Sequence, residues 1–301
     1  MAGVTLKDFE SQEHTWCPGC GDAGVLTALK RACVQLGIRP TELVVNTGIG
    51  CSSKISEYIR ACSFHGLHGR SLPVSMGIKL VNPKLIVVNS GGDGDHYAIG
   101  MEHFIHACRF NPDITDIVMN NQVYGLTKGQ LSPTGHKGLV TPTSPKGARE
   151  NPVDPVSLAI EAGATFVARG YAYNQKQLIE LISQAILHRG FSLVDVLSPC
   201  PTFHKEPGYQ QIKDWYEENI LDILEANRDM LLSIIQVTDI IPGYDPTDKK
   251  LAREVIDFAK NMPFCRKCSW RGKTKQDLRL SRKDTEEMYV CPNCNSDDVQ
   301  I

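Results

Sequence analysis

The chain has little net charge and no long apolar run, and each absence excludes a class of protein. Among its 301 residues, 32 are Lys or Arg and 34 are Asp or Glu, so the formal net charge is −2. A nearly neutral chain is not typical of a general nucleic-acid-binding or membrane-surface protein. No apolar run approaches the ~18 residues of a membrane span, and the N-terminus lacks the basic and then apolar pattern of a signal peptide. We therefore expect a cytoplasmic protein with one large domain and one small domain.

Cysteine, in contrast, is abundant. The chain has 11 cysteines, and in a reducing compartment such cysteines more often bind metal than form disulfides. The Cys-x-x-Cys pairs are Cys17 with Cys20, Cys265 with Cys268, and Cys291 with Cys294. This pairing predicts metal centres rather than structural disulfides.

A glycine-rich cluster in the first half of the chain marks the predicted ligand site. Residues 84–90 form a short apolar run typical of a buried strand, residues 113–119 form another, and the apolar residues between them recur at helical spacing. This pattern predicts a βαβ unit with parallel strands. Asp93 and Asn121 each follow one of these strands, so both are expected at the carboxyl edge of the sheet, where open α/β sheets bind ligands.

The residues at this edge suit a divalent cation on a diphosphate. Mg²⁺ prefers oxygen ligands, and its sites usually combine a few protein ligands with phosphate oxygens of the substrate. Asp93 offers a carboxylate and Asn121 an amide oxygen, while the neighbouring glycines let the backbone approach the phosphates. A polar turn alone would also explain residues 91–95, but the Asn-Asn pair one helix later favours the cation site.

The same residues carry a resemblance to a known family. Residues 92–94 (Gly-Asp-Gly) followed by the Asn-Asn pair resemble the thiamine diphosphate (TPP) motif of TPP-dependent enzymes. Residues 120–130 (Asn-Asn-Gln-Val-Tyr-Gly-Leu-Thr-Lys-Gly-Gln) are similar to the β subunits of 2-oxoacid:ferredoxin oxidoreductases, most closely the 2-oxoglutarate type. The resemblance implies an α/β fold whose doubly wound, mostly parallel sheet binds the TPP diphosphate. We expect the domain that contains this sheet to span residues 1–260.

The resemblance also implies a reaction. Enzymes of this family oxidatively decarboxylate a 2-oxoacid with coenzyme A, and the expected substrate here is 2-oxoglutarate. The expected products are succinyl-CoA, CO₂ and reduced ferredoxin, and the reaction is reversible. Pyruvate and branched-chain 2-oxoacids remain open as alternative substrates.

Cys17, Cys20, Cys51 and Cys200 form a candidate metal site at the same sheet edge. Cys51 and Cys200 each follow a predicted strand. One close pair of cysteines with two distant ones suits a 4Fe–4S cluster or a zinc ion, although the two distant residues could also be small buried thiols.

In the family, one 4Fe–4S cluster lies beside TPP, and this favours the cluster. The cysteine motifs of the family resemble residues 17–21, 50–52 and 198–200 of this chain. Asp22, which follows the first motif, is predicted to cap a helix over residues 23–36. The cysteines that match no ligand motif are predicted to be packing residues: Cys33, Cys62 and Cys108.

The resemblance assigns further residues to the cofactor and the substrate. Asp93, Asn121 and the backbone carbonyl of Val123 match the Mg²⁺ ligands. The positions that match residues lining TPP are Ile49, Gly50, Cys51, Ser52, His68, Gly92, Gly94, Asp95, Gly125 and Leu126. The predicted catalytic residues are His68, Leu126 and Lys128.

Two of these assignments have alternatives. Lys128 matches a lysine that faces the substrate, where a cation would suit a dicarboxylate, but it could also be an exposed loop lysine. His68 is expected either to relay a proton or, by preference, to contact the diphosphate.

Residues 261–301 are predicted to form a small zinc-ribbon-like module. Its two Cys-x-x-Cys pairs have the spacing of a Cys₄ zinc site, although a rubredoxin-like iron site has similar ligands. Its basic residues could suit a nucleic acid or an acidic partner, but a solvated face is favoured. A non-catalytic zinc-ribbon adaptor is therefore the alternative function from another class, and it leaves Asp93 and Asn121 unexplained.

One part of the family's active site has no counterpart in this chain. In the family, the glutamate that contacts the aminopyrimidine ring of TPP lies on a separate α subunit. We therefore expect this chain to be inactive alone and to act in a complex with an α subunit, as (αβ)₂, with ferredoxin as the electron acceptor.

Overall fold

The computed structural model describes residues 3–204 without a gap and, beyond them, residues 264–265, 279–283, 286–290 and 299–300. The chain divides into two compact units, Met1–Asn227 and Arg228–Ile301. The predicted domain boundary after residue 260 lies outside the described residues. So do three of the four cysteines of the predicted ribbon, and nothing is described of the side chain of the fourth, Cys265.

A six-stranded sheet forms the first unit, and every pair of neighbouring strands in it is parallel. The strand order is β2-β1-β3-β4-β8-β7. This confirms the predicted parallel α/β sheet. The strands are β1 (Leu43–Thr47), β2 (Cys62–His65), β3 (Ile86–Gly92), β4 (Thr115–Asn120), β7 (Phe166–Tyr171) and β8 (Ser192–Leu197).

Helices cover the sheet in two groups. Helix α1 packs against α6, whereas α3, α4 and α5 pack in a row, and α5 and α6 both contact β7 and β8. The sheet is therefore covered on both faces, as in a doubly wound fold. The helices are α1 (Gly21–Gln35), α2 (Ile55–Tyr58), α3 (Ser71–Val81), α4 (Met101–Phe110), α5 (Pro155–Glu161) and α6 (Gln175–Leu187).

The central strands are apolar because both of their faces are covered. Every residue of β1, β4 and β8 is buried. Such strands read as nearly continuous apolar runs rather than alternating ones. On the face of α3, α4 and α5, Val87, Val118 and Leu193 pack with Tyr97 and Phe104 in one core cluster.

The structure differs from the sequence prediction where the signal is weakest. Strand β2 lies at the sheet edge and all four of its residues are exposed, so it has no buried apolar pattern by which to predict it. Cys62 lies on this strand and is exposed, so its prediction as a packing residue was wrong. Cys33 and Cys108 are buried as predicted.

Two further elements lie near the candidate site. A π-helix, Asp95–Ile99, precedes α4, where one continuous helix was expected. The long loop after β4 contains a short hairpin of β5 (Val123–Tyr124) and β6 (Gln130–Leu131). Among the residues that the structure describes, no helix has the length and apolar character to span a membrane.

The described parts of the second unit are short antiparallel pairs. Strand β10 (Arg279–Lys283) pairs with β11 (Glu286–Val290), and β9 (Phe264–Cys265) pairs with β12 (Val299–Gln300).

Candidate functional site

The strand order places the candidate site where the path of the chain across the sheet reverses. From β1 the chain passes to β2 at one edge and then returns to β3 on the other side of β1. The carboxyl ends of two such strands are the usual ligand site of an open α/β sheet. Strands β1 and β3 pair up to Thr47 and Ser90, so the segments that follow them, residues 48–51 and 93–95, lie at the same edge.

Asp93 lies at the centre of this edge and is only 1% exposed. Its carboxylate accepts hydrogen bonds from the backbone N–H of Gln122 at 3.1 Å and from the hydroxyl of Thr134 at 2.7 Å, together with one from Ser132. Burial raises the pKa of this carboxyl group, and the hydrogen bonds from the two hydroxyls oppose the rise. A buried carboxylate held by neutral donors fits a bound divalent cation, because the cation would balance its charge.

Asn121 lies beside Asp93, as the sequence predicts. Its backbone N–H is 3.4 Å from Asp93 Oδ1, and its side-chain Oδ1 accepts a hydrogen bond from the N–H of Val123 at 3.1 Å. The three predicted Mg²⁺ ligands therefore lie on two adjacent segments of chain. Sequence analysis missed Ser132 and Thr134, which come from the loop after the hairpin and have no periodic pattern around them.

Asp95 joins two loops of the site. It is 2% exposed, and its Oδ1 accepts hydrogen bonds from the backbone N–H groups of Ile49 at 3.0 Å and Gly69 at 2.8 Å. The same oxygen lies 2.5 Å from Nδ1 of His68. Burial opposes ionisation of Asp95, but the hydrogen bonds from His68 and the backbone lower its pKa overall. Asp95 therefore fixes the orientation of the His68 ring.

His96, which sequence analysis missed, extends this arrangement into the core. Its Nε2 is 2.9 Å from Oδ1 of Asp116, and its Nδ1 is 3.5 Å from Oδ2 of Asp95. Burial lowers the pKa of His96, but the two carboxylates outweigh it and raise the pKa to about 9. Asp95 thus links His68 at the site to His96, and His96 links it to Asp116 inside the domain.

The glycines of the site differ in the room that they leave for a side chain. A Cβ on Gly94 would lie 2.2 Å from the ring of Tyr124, and one on Gly92 would lie 3.4 Å from Oγ of Ser52. Gly50 has a φ of +137°, which L side chains rarely adopt, and open space beside it. These positions suit a backbone that lies close to a ligand.

Two apolar side chains and one lysine are exposed at the same edge. Ile49 is 39% and Leu126 is 49% exposed, which suits contact with an apolar part of a cofactor. Lys128 is exposed in the turn of the hairpin and has a φ of +79°. A lysine in the left-handed region is under backbone strain, and such strain is concentrated at functional loops.

The four predicted cluster cysteines are brought together. The thiol of Cys20 interacts electrostatically with those of Cys51 and Cys200, and Cys51 also interacts with Cys17. Burial raises the pKa of Cys51 to about 11. The sulfur atoms of Cys51 and Cys200 lie 3.6 and 3.8 Å from the position of a Cβ on Gly125. The thiols of Cys51 and Cys200 therefore lie against the loop that carries Asn121.

Four thiols in one neighbourhood form a donor set that suits a 4Fe–4S cluster, because such a cluster binds each cysteine at a different iron atom. In the part of the chain that the structure describes, no group of three or more His, Cys, Asp or Glu side chains is placed to hold a single metal ion.

Comparison with known proteins identifies relatives of this chain. The family described as "Thiamine pyrophosphate enzyme, C-terminal TPP binding domain" matches residues 48–196, which include Asp93 and Asn121. The chain is 43% identical over 276 residues to the 2-oxoacid:ferredoxin oxidoreductase subunit beta of Saccharolobus solfataricus, a match that covers 91% of this chain and 82% of the relative. It is 46% identical over 229 residues to the 2-oxoglutarate synthase subunit KorB of Archaeoglobus fulgidus, with 75% and 82% covered.

A solved structure is also similar. It is a 2-oxoglutarate:ferredoxin oxidoreductase from Magnetococcus marinus with 2-oxoglutarate, coenzyme A and succinyl-CoA bound. The superposition has a TM-score of 0.70 at 41% sequence identity and covers 71% of this chain and 74% of that chain.

Proposed function

This chain belongs to the family of 2-oxoacid:ferredoxin oxidoreductase β subunits, and we propose from that membership that it forms the diphosphate side of a TPP site acting on 2-oxoglutarate. The proposed reaction consumes 2-oxoglutarate and coenzyme A and yields succinyl-CoA, CO₂ and reduced ferredoxin. The observation that carries the proposal is that the buried Asp93 and Asn121 share one sheet edge with four neighbouring thiols. The relatives named as 2-oxoglutarate enzymes support the choice of substrate.

The residues around Asp93 fit the diphosphate and its metal. Bound TPP supplies the electron sink for the loss of CO₂ from a 2-oxoacid. Asp93, Asn121 and the carbonyl of Val123 would hold the Mg²⁺ ion on the diphosphate. His68, held by Asp95 through Nδ1, keeps Nε2 for the cofactor, either as a diphosphate contact or as a proton carrier.

Lys128 is the residue proposed to select the substrate. Its exposed ammonium group lies on a hairpin held by the N–H of Gly129, which donates to the carbonyl of Tyr124 at 2.8 Å. A fixed cation would favour the second carboxylate of 2-oxoglutarate over the methyl group of pyruvate. Leu126, two residues earlier in the same turn, would pack against the cofactor.

The four thiols are proposed to hold a 4Fe–4S cluster, which accepts electrons one at a time. Cys17 and Cys20 precede α1, Cys51 follows β1, and Cys200 follows β8. Ferredoxin is the proposed acceptor of these electrons. A Zn²⁺ ion is proposed in the second unit, with Cys265, Cys268, Cys291 and Cys294 as its ligands.

A partner chain completes the proposed site. The relatives are named β subunits, so an α subunit is the expected partner, and it would supply the groups that contact the aminopyrimidine ring. The cytoplasm is the proposed location, and (αβ)₂ the proposed assembly.

Anaerobic co-purification of this chain with its α subunit tests the proposal. The complex is expected to reduce a viologen dye when 2-oxoglutarate and coenzyme A are both present, with a kcat/KM on the order of 10-fold or more above that for pyruvate. Omission of coenzyme A and of the α subunit are the two controls. A colourless complex that contains zinc alone and reduces no dye would favour the zinc-ribbon adaptor instead.

A further inference from the structure

Asp22 is a buried carboxylate that the proposed function does not use. It is the second residue of α1 and is 0% exposed. The sequence predicts it as the cap of this helix, but the N-cap position is Cys20 and no side chain caps the helix. The prediction of a capping role was therefore wrong, because the side chain turns into the protein rather than back to the first turn.

The carboxylate of Asp22 accepts a hydrogen bond at each oxygen from a residue close to a cysteine. Oδ1 accepts from the hydroxyl of Ser198 at 2.6 Å, and Oδ2 accepts from the hydroxyl of Ser52 at 3.2 Å. Ser52 follows Cys51 directly, and Ser198 lies two residues before Cys200. One side chain therefore connects the segments that carry both of the distant cysteines.

The backbone around Asp22 adds the third cysteine segment. Cys20 is the N-cap residue that directly precedes the first turn of α1, and the N–H of Gly21 donates to the carbonyl of Pro199 at 3.1 Å. A Cβ on Gly21 would lie 2.6 Å from Oγ of Ser198, so the first turn of α1 packs tightly against the segment before Cys200.

We propose that Asp22 is a positioning residue for the cluster, because it holds the segments of Cys20, Cys51 and Cys200 in one arrangement through a shared carboxylate. The inference rests on the proposed cluster. It predicts that the arrangement of three of the four ligands depends on this carboxylate as a double acceptor. A buried carboxylate without these donors would be costly, so Asp22 and the two serines act as one unit.

The test compares variants in the anaerobically purified αβ complex. Asp22→Ala removes both acceptors, Asp22→Asn keeps one acceptor oxygen in nearly the same shape, and Ser198→Ala removes one donor. Ser53→Ala is the matched control, since Ser53 is a buried serine in the same 3-10 turn as Ser52 and its hydroxyl has no hydrogen-bond partner among the described residues. Three readouts are recorded: the rate of iron release to a chelator, the EPR spectrum of the reduced cluster, and the TPP content.

Loss of the shared acceptor should loosen the cluster while the TPP site stays intact. Iron release is expected to be about 10-fold faster or more in Asp22→Ala, with a changed EPR line shape, and a few-fold faster in Ser198→Ala. Asp22→Asn, which keeps one acceptor oxygen, is expected to release iron at a rate between those of the wild type and Asp22→Ala, and Ser53→Ala to match the wild type. TPP content should be unchanged in all four variants.

The outcomes separate failure of the inference from failure of the proposed function. If the wild-type complex contains no iron–sulfur cluster, the proposed cluster itself is wrong. If the wild type holds the cluster and Asp22→Ala and Ser198→Ala release iron at the wild-type rate with an unchanged EPR spectrum, the positioning role is overturned. The same holds if Asp22→Asn and Ser198→Ala lose TPP and cluster together, because Asp22 would then act through the fold as a whole.

Discussion

Replacing His96 with glutamine is expected to remove a pH-dependent part of the stability of the first unit. The ring of His96 lies between Asp116 and Asp95. Burial lowers its pKa, but the two carboxylates raise it to about 9, against an ordinary value of 6.5. Between pH 6.5 and about 9, His96 therefore stays protonated in the folded chain but loses its proton in the unfolded chain. The stabilisation is fully present below pH 6.5 and is lost as the pH rises through about 9.

The structure sets the size of this effect. A rise in pKa from 6.5 to about 9 corresponds to a contribution on the order of 3 kcal/mol to the free energy of unfolding. In a domain of this size, ~3 kcal/mol changes the Tm by roughly 6–12 °C. Glutamine can still donate a hydrogen bond to Asp116 but cannot hold the proton, so the variant should lose the pH-dependent part.

Thermal unfolding of the complex across the pH range measures the effect. The difference in Tm between the wild type and His96→Gln should be largest near about pH 6 and should shrink steadily towards about pH 9. His106→Gln is the matched control, because His106 is an exposed histidine on α4. A difference between wild type and His96→Gln that is the same at both ends of the range would refute the reasoning, since His96 would then be neutral in the folded chain.

Further substitutions test the geometry of the site. Gly94→Ala should destabilise the chain by ~1–3 kcal/mol in thermal unfolding because its Cβ would lie 2.2 Å from the ring of Tyr124. Gly77→Ala is the control, because Gly77 lies in helix α3 and an added Cβ would meet open space. It should stabilise the chain by ~0.5–1 kcal/mol. Equal changes in stability for the two variants would contradict the packing at Gly94. In steady-state kinetics, Lys128→Gln should raise KM for 2-oxoglutarate by about 10-fold and leave KM for pyruvate nearly unchanged. A parallel rise in KM for both substrates would show that Lys128 does not select the substrate.

The sheet could be predicted from the sequence where its strands are buried on both faces. Strands β3 and β4 are short apolar runs with a helical pattern between them, and this alone brings Asp93 and Asn121 to one edge. Strand β2 could not be predicted, because an exposed edge strand carries no apolar signal. The two serine and threonine hydroxyls on Asp93 come from a loop of irregular backbone, whose path no local pattern determines.

The residues that organise the site were harder to predict than those that would bind its cofactors. Asp22 contacts Ser52 and Ser198, which lie 30 and 176 residues away in sequence, so its role depends on the completed fold. In the sequence, His96 is likewise a single polar residue near the start of a predicted helix. Its partner Asp116 lies 20 residues later on the next strand, so the sequence gives no local sign of the contact. Sequence motifs identify residues that bind a ligand. Residues that contact each other across the fold leave no motif in the sequence.

The TPP and iron contents of the purified αβ complex test the central claim most directly, because they measure the two halves of the sheet edge separately. The wild-type complex is expected to hold one TPP and about four iron atoms per β subunit in the cluster. Asp93→Asn should lose its TPP and its 2-oxoglutarate-dependent reduction of dye while it keeps the iron and the visible absorbance. Retention of TPP and activity in Asp93→Asn would contradict the account, because the metal of the diphosphate would then be held elsewhere.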